Sequence, residues 1–273
     1  MKSLKEILDG NNLMLKTVDN LKNSSDHPQQ SLEQKEYLCP LCQDRGIILE
    51  GDLARPCSCM QQKKLDNKFR TARISKALLV CRLDNFNLDY YLSSDGTKTY
   101  KESAQRALDA ARDFINKYLE DPYGSGLLFT GPVGSGKTFL AASIANELMI
   151  KGHQVLFLVV PDLLDELRAT YKSEANELDL LDTARTMPVL ILDDLGAHNY
   201  TDWSRNRLYS IINYRMNEQL PTIITTNLTL DEMEDYLGAR TTSRLVQMSR
   251  IFRLNSEDIR LRKYQEREVN SFS

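Results

Sequence analysis

The stretch Gly131-Pro132-Val133-Gly134-Ser135-Gly136-Lys137-Thr138 constrains what this chain can fold into more than any other. It reads G-x-x-x-x-G-K-T, the phosphate-binding P-loop pattern. Leu127-Leu128-Phe129 leads into it as a predicted strand, and Phe139-Leu140-Ala141-Ala142-Ser143-Ile144-Ala145 leaves it as a predicted helix. A glycine-rich turn with a chance lysine is the rival reading, and these flanks weigh against it. In that setting glycines let backbone N–H groups turn inward around phosphate oxygens, and the helix N-terminus adds partial positive charge at the same point. Lys137 is then expected to reach the β- and γ-phosphates, and the Thr138 hydroxyl to ligate Mg²⁺.

The rest of the main region fits a P-loop fold. Strands are expected at Gln154–Val160, Val189–Leu192 and Thr222–Thr226, each a continuous apolar or β-branched run. Helices are expected at Lys101–Glu120, over Asp162 to about Thr186, and at Ser204–Gln219, on apolar positions at helical spacing. Alternating strands and helices with unbroken apolar strands imply an α/β fold, a parallel sheet covered on both faces. From Thr229 onward the sequence reads as helical and charged.

At 273 residues, with 41% hydrophobic and 27% charged positions, the chain has room for one large domain or two unequal ones. No apolar run approaches the ~18–20 residues of a membrane span, and Met1–Glu6 has no apolar signal core, so a cytoplasmic location and no membrane partner are expected. The net charge of −3 excludes a protein that coats nucleic acid electrostatically. Any DNA contact is expected to be local.

Upstream, residues 1–22 carry helical apolar spacing, and 23–30 read as a linker. Four of the five cysteines follow: Cys39 and Cys42 in Cys-Pro-Leu-Cys, Cys57 and Cys59 in Cys-Ser-Cys. A predicted hairpin at Gly46–Asp52 separates the pairs. Two knuckles joined by a hairpin describe a zinc-ribbon-like module, in which bound Zn²⁺ supplies the folding energy that so small a core lacks. A Cys-Pro-x-Cys redox pair is the rival reading; it needs a βαβ setting and leaves Cys57 and Cys59 without a role. Cys81 reads as a buried, inert thiol. Met60–Arg73 is basic and reads as a helical linker. The expected division is a helical and Cys₄ zinc-binding domain with basic linker over 1–75, and an ATPase domain over 76–273.

The second half of the nucleotide site is expected at Asp193-Asp194, where an apolar strand ends in acids beyond its carboxyl edge. Asp193 is assigned to Mg²⁺ and Asp194 to orienting the attacking water. Asn227, ending the next strand, is placed to bond the γ-phosphate or that water. Arg240, Arg244 and Arg260 are candidates for stabilising transition-state charge, Arg260 on its own subunit's nucleotide.

The order P-loop, Leu-Asp-Asp-Leu-Gly, Thr-Thr-Asn, Ser-Arg-Leu and Asp-Ile-Arg resembles the bacterial helicase loaders of the DnaC/DnaI type, which are AAA+ ATPases. The resemblance covers residues 82–265, and the cysteine pairs look like the zinc-binding N-terminal domain of the Gram-positive loaders. It implies a five-stranded sheet of order 5-1-4-3-2, sensor 1 at Asn227, a trans arginine finger at Arg244 and sensor 2 at Arg260. It further implies ATP and Mg²⁺ as ligands, a hexameric replicative DNA helicase as partner, self-assembly through the AAA+ domain, and a helical insertion at about Leu163–Thr183 facing single-stranded DNA. Two departures stand out. Asp194 occupies the place of the usual Glu, and His198 a place where many relatives carry Glu. Slow hydrolysis is expected, suited to a switch more than a motor. The alternatives are a transposition helper ATPase of the IstB type, which the cysteine module disfavours, and a zinc-ribbon adaptor that uses nucleotide only structurally.

Overall fold

The computed structural model describes residues 39–50, 53–60, 71–92, 100–169, 174–197 and 200–271. The helical pattern at 1–22, the linker at 23–30, the Gly51-Asp52 turn, residues 61–70 of the basic stretch and His198 lie outside those residues. The chain divides into two units, Met1–Asp66 and Asn67–Ser273. Residues 71–75, grouped in the sequence with the cysteines, pack into the second unit. Ala72 and Ile74 are buried in its core, and the Ala72 carbonyl accepts a hydrogen bond from the Phe157 N–H at 2.8 Å.

In the first unit the expected hairpin forms. Strands β1 (Ile47–Glu50) and β2 (Leu53–Pro56) pair antiparallel, with Ile48 opposite Arg55. Side chains alternate across the two faces. Ile48 packs on Cys39, Cys42 and Cys57, while Ile47 and Leu49 on the opposite face are exposed.

The second unit is built on five parallel strands: β3 (Gly126–Thr130), β4 (Val155–Val159), β5 (Val189–Leu195), β6 (Thr222–Thr226) and β7 (Ser249–Arg253). They lie in the order β4-β5-β6-β3-β7. Counting only these strands along the chain, this is the expected 5-1-4-3-2. Alternate residues of each strand feed opposite layers. Leu127, Phe129, Phe157, Ile191 and Ile223 face one core, which is covered by α1 (Lys101–Glu120) and α2 (Lys137–Ile150). Leu128, Leu156, Leu158, Leu190, Leu192 and Ile224 face the other. That layer carries α3 (Val160–Ala169), α4 (Glu174–Thr186), α5 (Asp202–Asn217), α6 (Leu230–Leu237) and α7 (Ala239–Met248). Helix α2 is buried on nearly every side, from Leu140 through Met149. This is why its sequence carries a single acid and no stripe of polar residues. Truncating Ile144, which is fully buried, to alanine falls in the class of changes that cost about 2–5 kcal/mol.

Two details depart from the residue patterns. The helical region after β4 is two helices, α3 and α4. The carboxyl-terminal region is not helical throughout: β7 interrupts it, and helix α8 (Ile259–Ser271) follows. Ser-Arg-Ile-Phe-Arg gives no long apolar run because β7 lies at the sheet edge, paired to β3 alone. Its Arg250 is held by Asp113 of α1 at 2.8 Å.

Local signals set the other boundaries. Thr229 and Glu232 form a reciprocal capping box at the start of α6, and Thr201 caps α5. The last turn of α5 contributes Arg215, which is fully buried. Its guanidinium donates to the carbonyls of Ala184, Arg185, Met187, Pro188 and Pro221 and to the Thr222 hydroxyl, at 2.7–3.5 Å. Those carbonyls include orphans at the carboxyl end of α4, so one side chain ties that end to the starts of β5 and β6. Burial pulls the Arg215 pKa down to about 9.

Candidate nucleotide site and cysteine cluster

The P-loop lies between β3 and α2, at the carboxyl edge of the sheet. Gly134 and Gly136 have φ of +74° and +88°, a region that costs other residues backbone strain. A Cβ on Gly136 would meet the Tyr91 hydroxyl at 2.7 Å. That hydroxyl donates to the Ser135 carbonyl at 2.7 Å and so props the loop from behind. Lys137 Nζ donates to the carbonyls of Gly131 (2.8 Å) and Pro132 (2.7 Å). Burial pulls the Lys137 pKa down to about 8, with Asp194 and Asp193 pulling it back up.

A cavity of about 480 Å³ opens in front of the loop, a size suited to a nucleotide. Val133 to Thr138, Asp193, Asp194, Asn227 and Arg260 all line it. Gly131 and Pro132 do not; they act through their carbonyls on Lys137. Asp193 is buried, and its Oδ1 accepts from Thr138 Oγ1 (2.9 Å) and Thr225 Oγ1 (2.6 Å). Burial pushes the Asp193 pKa up, opposed by those two hydroxyls. A hydroxyl and a carboxylate at this spacing are hard oxygen donors suited to Mg²⁺. Asp194 follows with a left-handed backbone, φ +59°. Its Oδ1 accepts from Asn227 Nδ2 at 3.2 Å. Left-handed conformations favour Asp and Asn among residues with a side chain, which gives the Asp in place of Glu a local reason.

Arg244 is not brought to this cavity. It sits on α7 with its guanidinium 4.7 Å from the Tyr209 ring centroid, and its Nε donates to Asn213 Oδ1 at 2.8 Å. Arg260 does line the cavity, at the start of α8, where the Ile259 N–H donates to the Gly134 carbonyl at 3.2 Å.

The residue patterns missed the cavity's other wall. Leu78, Cys81, Asn85, Phe86, Tyr90 and Tyr91 line it from before α1, with Ile259 and Lys263 of α8. This apolar wall suits a base. Cys81 is buried as expected, and burial raises its thiol pKa, but it also faces the cavity. The wall is clasped to α8: Tyr90 OH donates to Glu266, Lys263 Nζ lies 5.2 Å from the Tyr90 ring centroid, and Arg262 donates to the Leu92 carbonyl. An aromatic cluster upstream of the P-loop was the available signal, but no spacing rule ties it to one.

In the first unit Cys39, Cys42, Cys57 and Cys59 bring their sulfurs within 4.8 Å of one another. Sγ–Sγ separations are 3.8 Å for Cys39–Cys57 and 3.4 Å for Cys42–Cys59. A tetrahedral Zn–S₄ centre with ~2.3 Å bonds needs edges of ~3.8 Å, so the four residues fit zinc. The Gly46 N–H points at Cys42 Sγ, 3.3 Å away, an outer hydrogen bond of the kind that supports a thiolate ligand. A hydrogen bond from the Cys42 backbone lowers the Cys39 thiol to about 7, while the Cys42 side chain pushes Cys59 up to about 12. Sulfurs this close cannot all ionise without a cation among them. No other group of three or more His, Cys, Asp or Glu side chains among the described residues is placed to hold a metal. No described helix is long and apolar enough to cross a membrane.

Comparison with known proteins agrees with this geometry. The family profile of IstB-like ATP binding proteins matches residues 62–267. The replicative helicase loader DnaI of Bacillus subtilis is 34% identical over 161 residues, which are 54% of this chain and 51% of that protein. The replicative helicase loader DnaC of Escherichia coli K12 is 26% identical over 220 residues, 80% of this chain and 83% of that protein. A crystal structure of the DnaC helicase loader superposes with a TM-score of 0.56 at 30% identity, covering 67% of this chain and all of that one. The fold is that of an AAA+ P-loop core. The chain belongs to the IstB-like ATP binding protein family and, within it, to the DnaC/DnaI group.

Proposed function

We propose that this protein is an ATP-dependent loader that delivers a hexameric replicative DNA helicase onto single-stranded DNA. One observation carries the reading. Lys137, Thr138, Asp193, Asp194, Asn227 and Arg260 converge on a single cavity, in a chain alignable with 83% of the Escherichia coli loader. In this reading Lys137 and the backbone N–H groups of 134–138 bind the β- and γ-phosphates. Thr138 and Asp193 hold Mg²⁺, which supplies charge neutralisation on those phosphates. Asp194, steadied by Asn227, orients the attacking water, and Arg260 faces the same nucleotide. Arg244, held by α5 away from its own cavity, serves the nucleotide of a neighbouring copy. The short Asp194 side chain makes hydrolysis slow, so ATP acts as a timer. The four cysteines hold structural zinc, and the unit they belong to grips the helicase. Insertion helices α3 and α4 face the DNA strand, and the protein works in the cytoplasm.

The IstB-type reading shares the family profile, and the cysteine cluster weighs against it. The test is assembly of the full-length chain with purified hexameric helicase, followed by helicase deposition on single strands coated with a binding protein. Deposition that requires ATP and is lost in Lys137→Ala is expected. Stable binding to a transposase and none to the helicase would replace the loader reading with the transposition helper. Measurable DNA-stimulated hydrolysis would rule out a nucleotide used only as a structural ligand.

A further inference from the structure

Both acids of the site converge on a residue with no part in the reading above. Thr225 is the fourth residue of β6 and is 1% exposed. Its Oγ1 donates to Asp193 Oδ1 at 2.6 Å and accepts from the Asp194 N–H at 2.9 Å. A hydroxyl has one proton and spare lone pairs, so the two bonds use it in complementary directions. We propose that Thr225 is a positioning residue for hydrolysis, its single hydroxyl fixing the carboxylate of Asp193 and the backbone of Asp194 together. This inference rests on the ATPase reading.

Thr225 acts on Asp194 through the backbone. The β5–β6 ladder runs regularly to Leu192–Ile224, then shifts before Leu195–Thr226. Asp194 lies in that irregularity with φ +59°. An extra residue in a ladder leaves its N–H without the usual partner strand carbonyl. Here the Thr225 side chain takes that N–H. Holding the bulge turns the Asp194 carboxylate to the edge of the sheet, where Asn227 reaches it at 3.2 Å. Without the hydroxyl, a partly buried N–H has no acceptor, and a left-handed Asp loses what keeps it there.

At Asp193 two hydroxyls divide the labour. Its Oδ1 has two hydroxyl donors, Thr138 and Thr225. Thr138 is the one a metal ion would engage. Thr225, buried at the cavity wall, is the donor left to hold its plane. The adjacent Thr226 does separate work: its hydroxyl donates to the Leu195 carbonyl and accepts from the Leu228 N–H, so it closes the ladder and the following turn and touches neither acid.

The experiment compares Thr225→Val, which keeps the shape and removes the hydroxyl, with Thr225→Ser, which keeps the hydroxyl. Three quantities are read on the full-length chain: affinity for a fluorescent ATP analogue without metal, the Mg²⁺ concentration that half-maximally tightens that binding, and the single-turnover hydrolysis rate. Thr225→Val is expected to bind metal-free nucleotide within about twofold of the parent, to need roughly 10-fold more Mg²⁺, and to hydrolyse about 10- to 100-fold more slowly, the span expected for losing hydrogen bonds to a charged group. Thr225→Ser is expected within about threefold of the parent in all three, since the donor and acceptor remain. Should Thr225→Val fail to fold, Thr225→Cys takes its place with the same expectations, because a thiol is of similar size and a poor partner. Parental Mg²⁺ dependence and rate in the Val or Cys variant overturn the proposal, as does a Ser variant as defective as Val. A parent that hydrolyses nothing refutes the ATPase reading instead, and the Mg²⁺ titration of binding still decides the role of Thr225 at Asp193.

Discussion

Lys137 offers a quantitative test. It is 6% exposed, and its ammonium rests on two carbonyls, with no carboxylate among the described residues in hydrogen-bond contact. Its pKa falls from 10.5 to about 8. The sign follows from proton counting. Between those values the unfolded chain holds a proton on this lysine that the folded chain has released, so stability rises with pH across that window. Below about pH 8 both states are protonated and the full penalty is present. At ~1.4 kcal/mol per pKa unit, the penalty is on the order of 3 kcal/mol. The perturbation is Lys137→Met, which keeps the length and removes the charge. Denaturant unfolding of both proteins without nucleotide, from about pH 7 to about pH 10.5, isolates the contribution, because tyrosines, thiols and any bound metal titrate in both and cancel in the difference. The parent is expected to gain ~3 kcal/mol on the variant over the window. Added ATP at roughly 100 times its dissociation constant stabilises the parent by ~2.7 kcal/mol and leaves the variant unmoved. A stability difference that stays flat with pH to within ~0.5 kcal/mol refutes a lysine desolvated in advance of its anion.

Three further outcomes are expected. Arg215→Met strands the carbonyls around the end of α4 and should cost on the order of 3–5 kcal/mol in urea unfolding, since several buried acceptors lose their donor at once; a loss under ~1 kcal/mol would mean that water replaces the guanidinium there. Asp194→Asn keeps a residue that tolerates φ > 0 and should bind ATP like the parent while single-turnover hydrolysis falls at least ~10-fold; an unchanged rate removes Asp194 from the role of orienting water. Cys57→Ser should lower the zinc content of the purified protein from one ion per chain and leave the second unit's unfolding midpoint in place; full zinc occupancy in that variant would exclude the four-sulfur centre.

Much of this molecule is legible in the order of its residues. The P-loop announces itself because phosphate binding demands glycines and a lysine at fixed positions. Four sheet strands do so because a strand buried on both faces has no polar alternation to hide it. The helix at Lys101–Glu120 emerges with the expected ends, since Asp121-Pro122 stops it. Strand β7 was not legible: at an edge, Arg250 and Arg253 are tolerated, and they mimic the charge pattern of the helices around them. Nor was the base wall. It joins residues 78–91 to Ile259 and Lys263 by packing alone, and packing leaves no spacing rule in a sequence. Thr225 shows the same limit at smaller scale. Thr-Thr-Asn marks a strand end, yet only the sheet register reveals which threonine turns toward the acids.

The clasp between Tyr90 and helix α8 has a consequence for biogenesis. The cavity's walls come from near the start and the end of the second unit, and the Tyr91 hydroxyl on the P-loop belongs to the first of these. A chain emerging amino end first carries its P-loop, both acids and Asn227 out of the ribosome well before Lys263 and Glu266. Until those residues appear, the cavity lacks the wall that α8 supplies. The nascent protein therefore presents the P-loop before the opposite wall of its cavity exists, and the cavity is complete only once helix α8 has emerged.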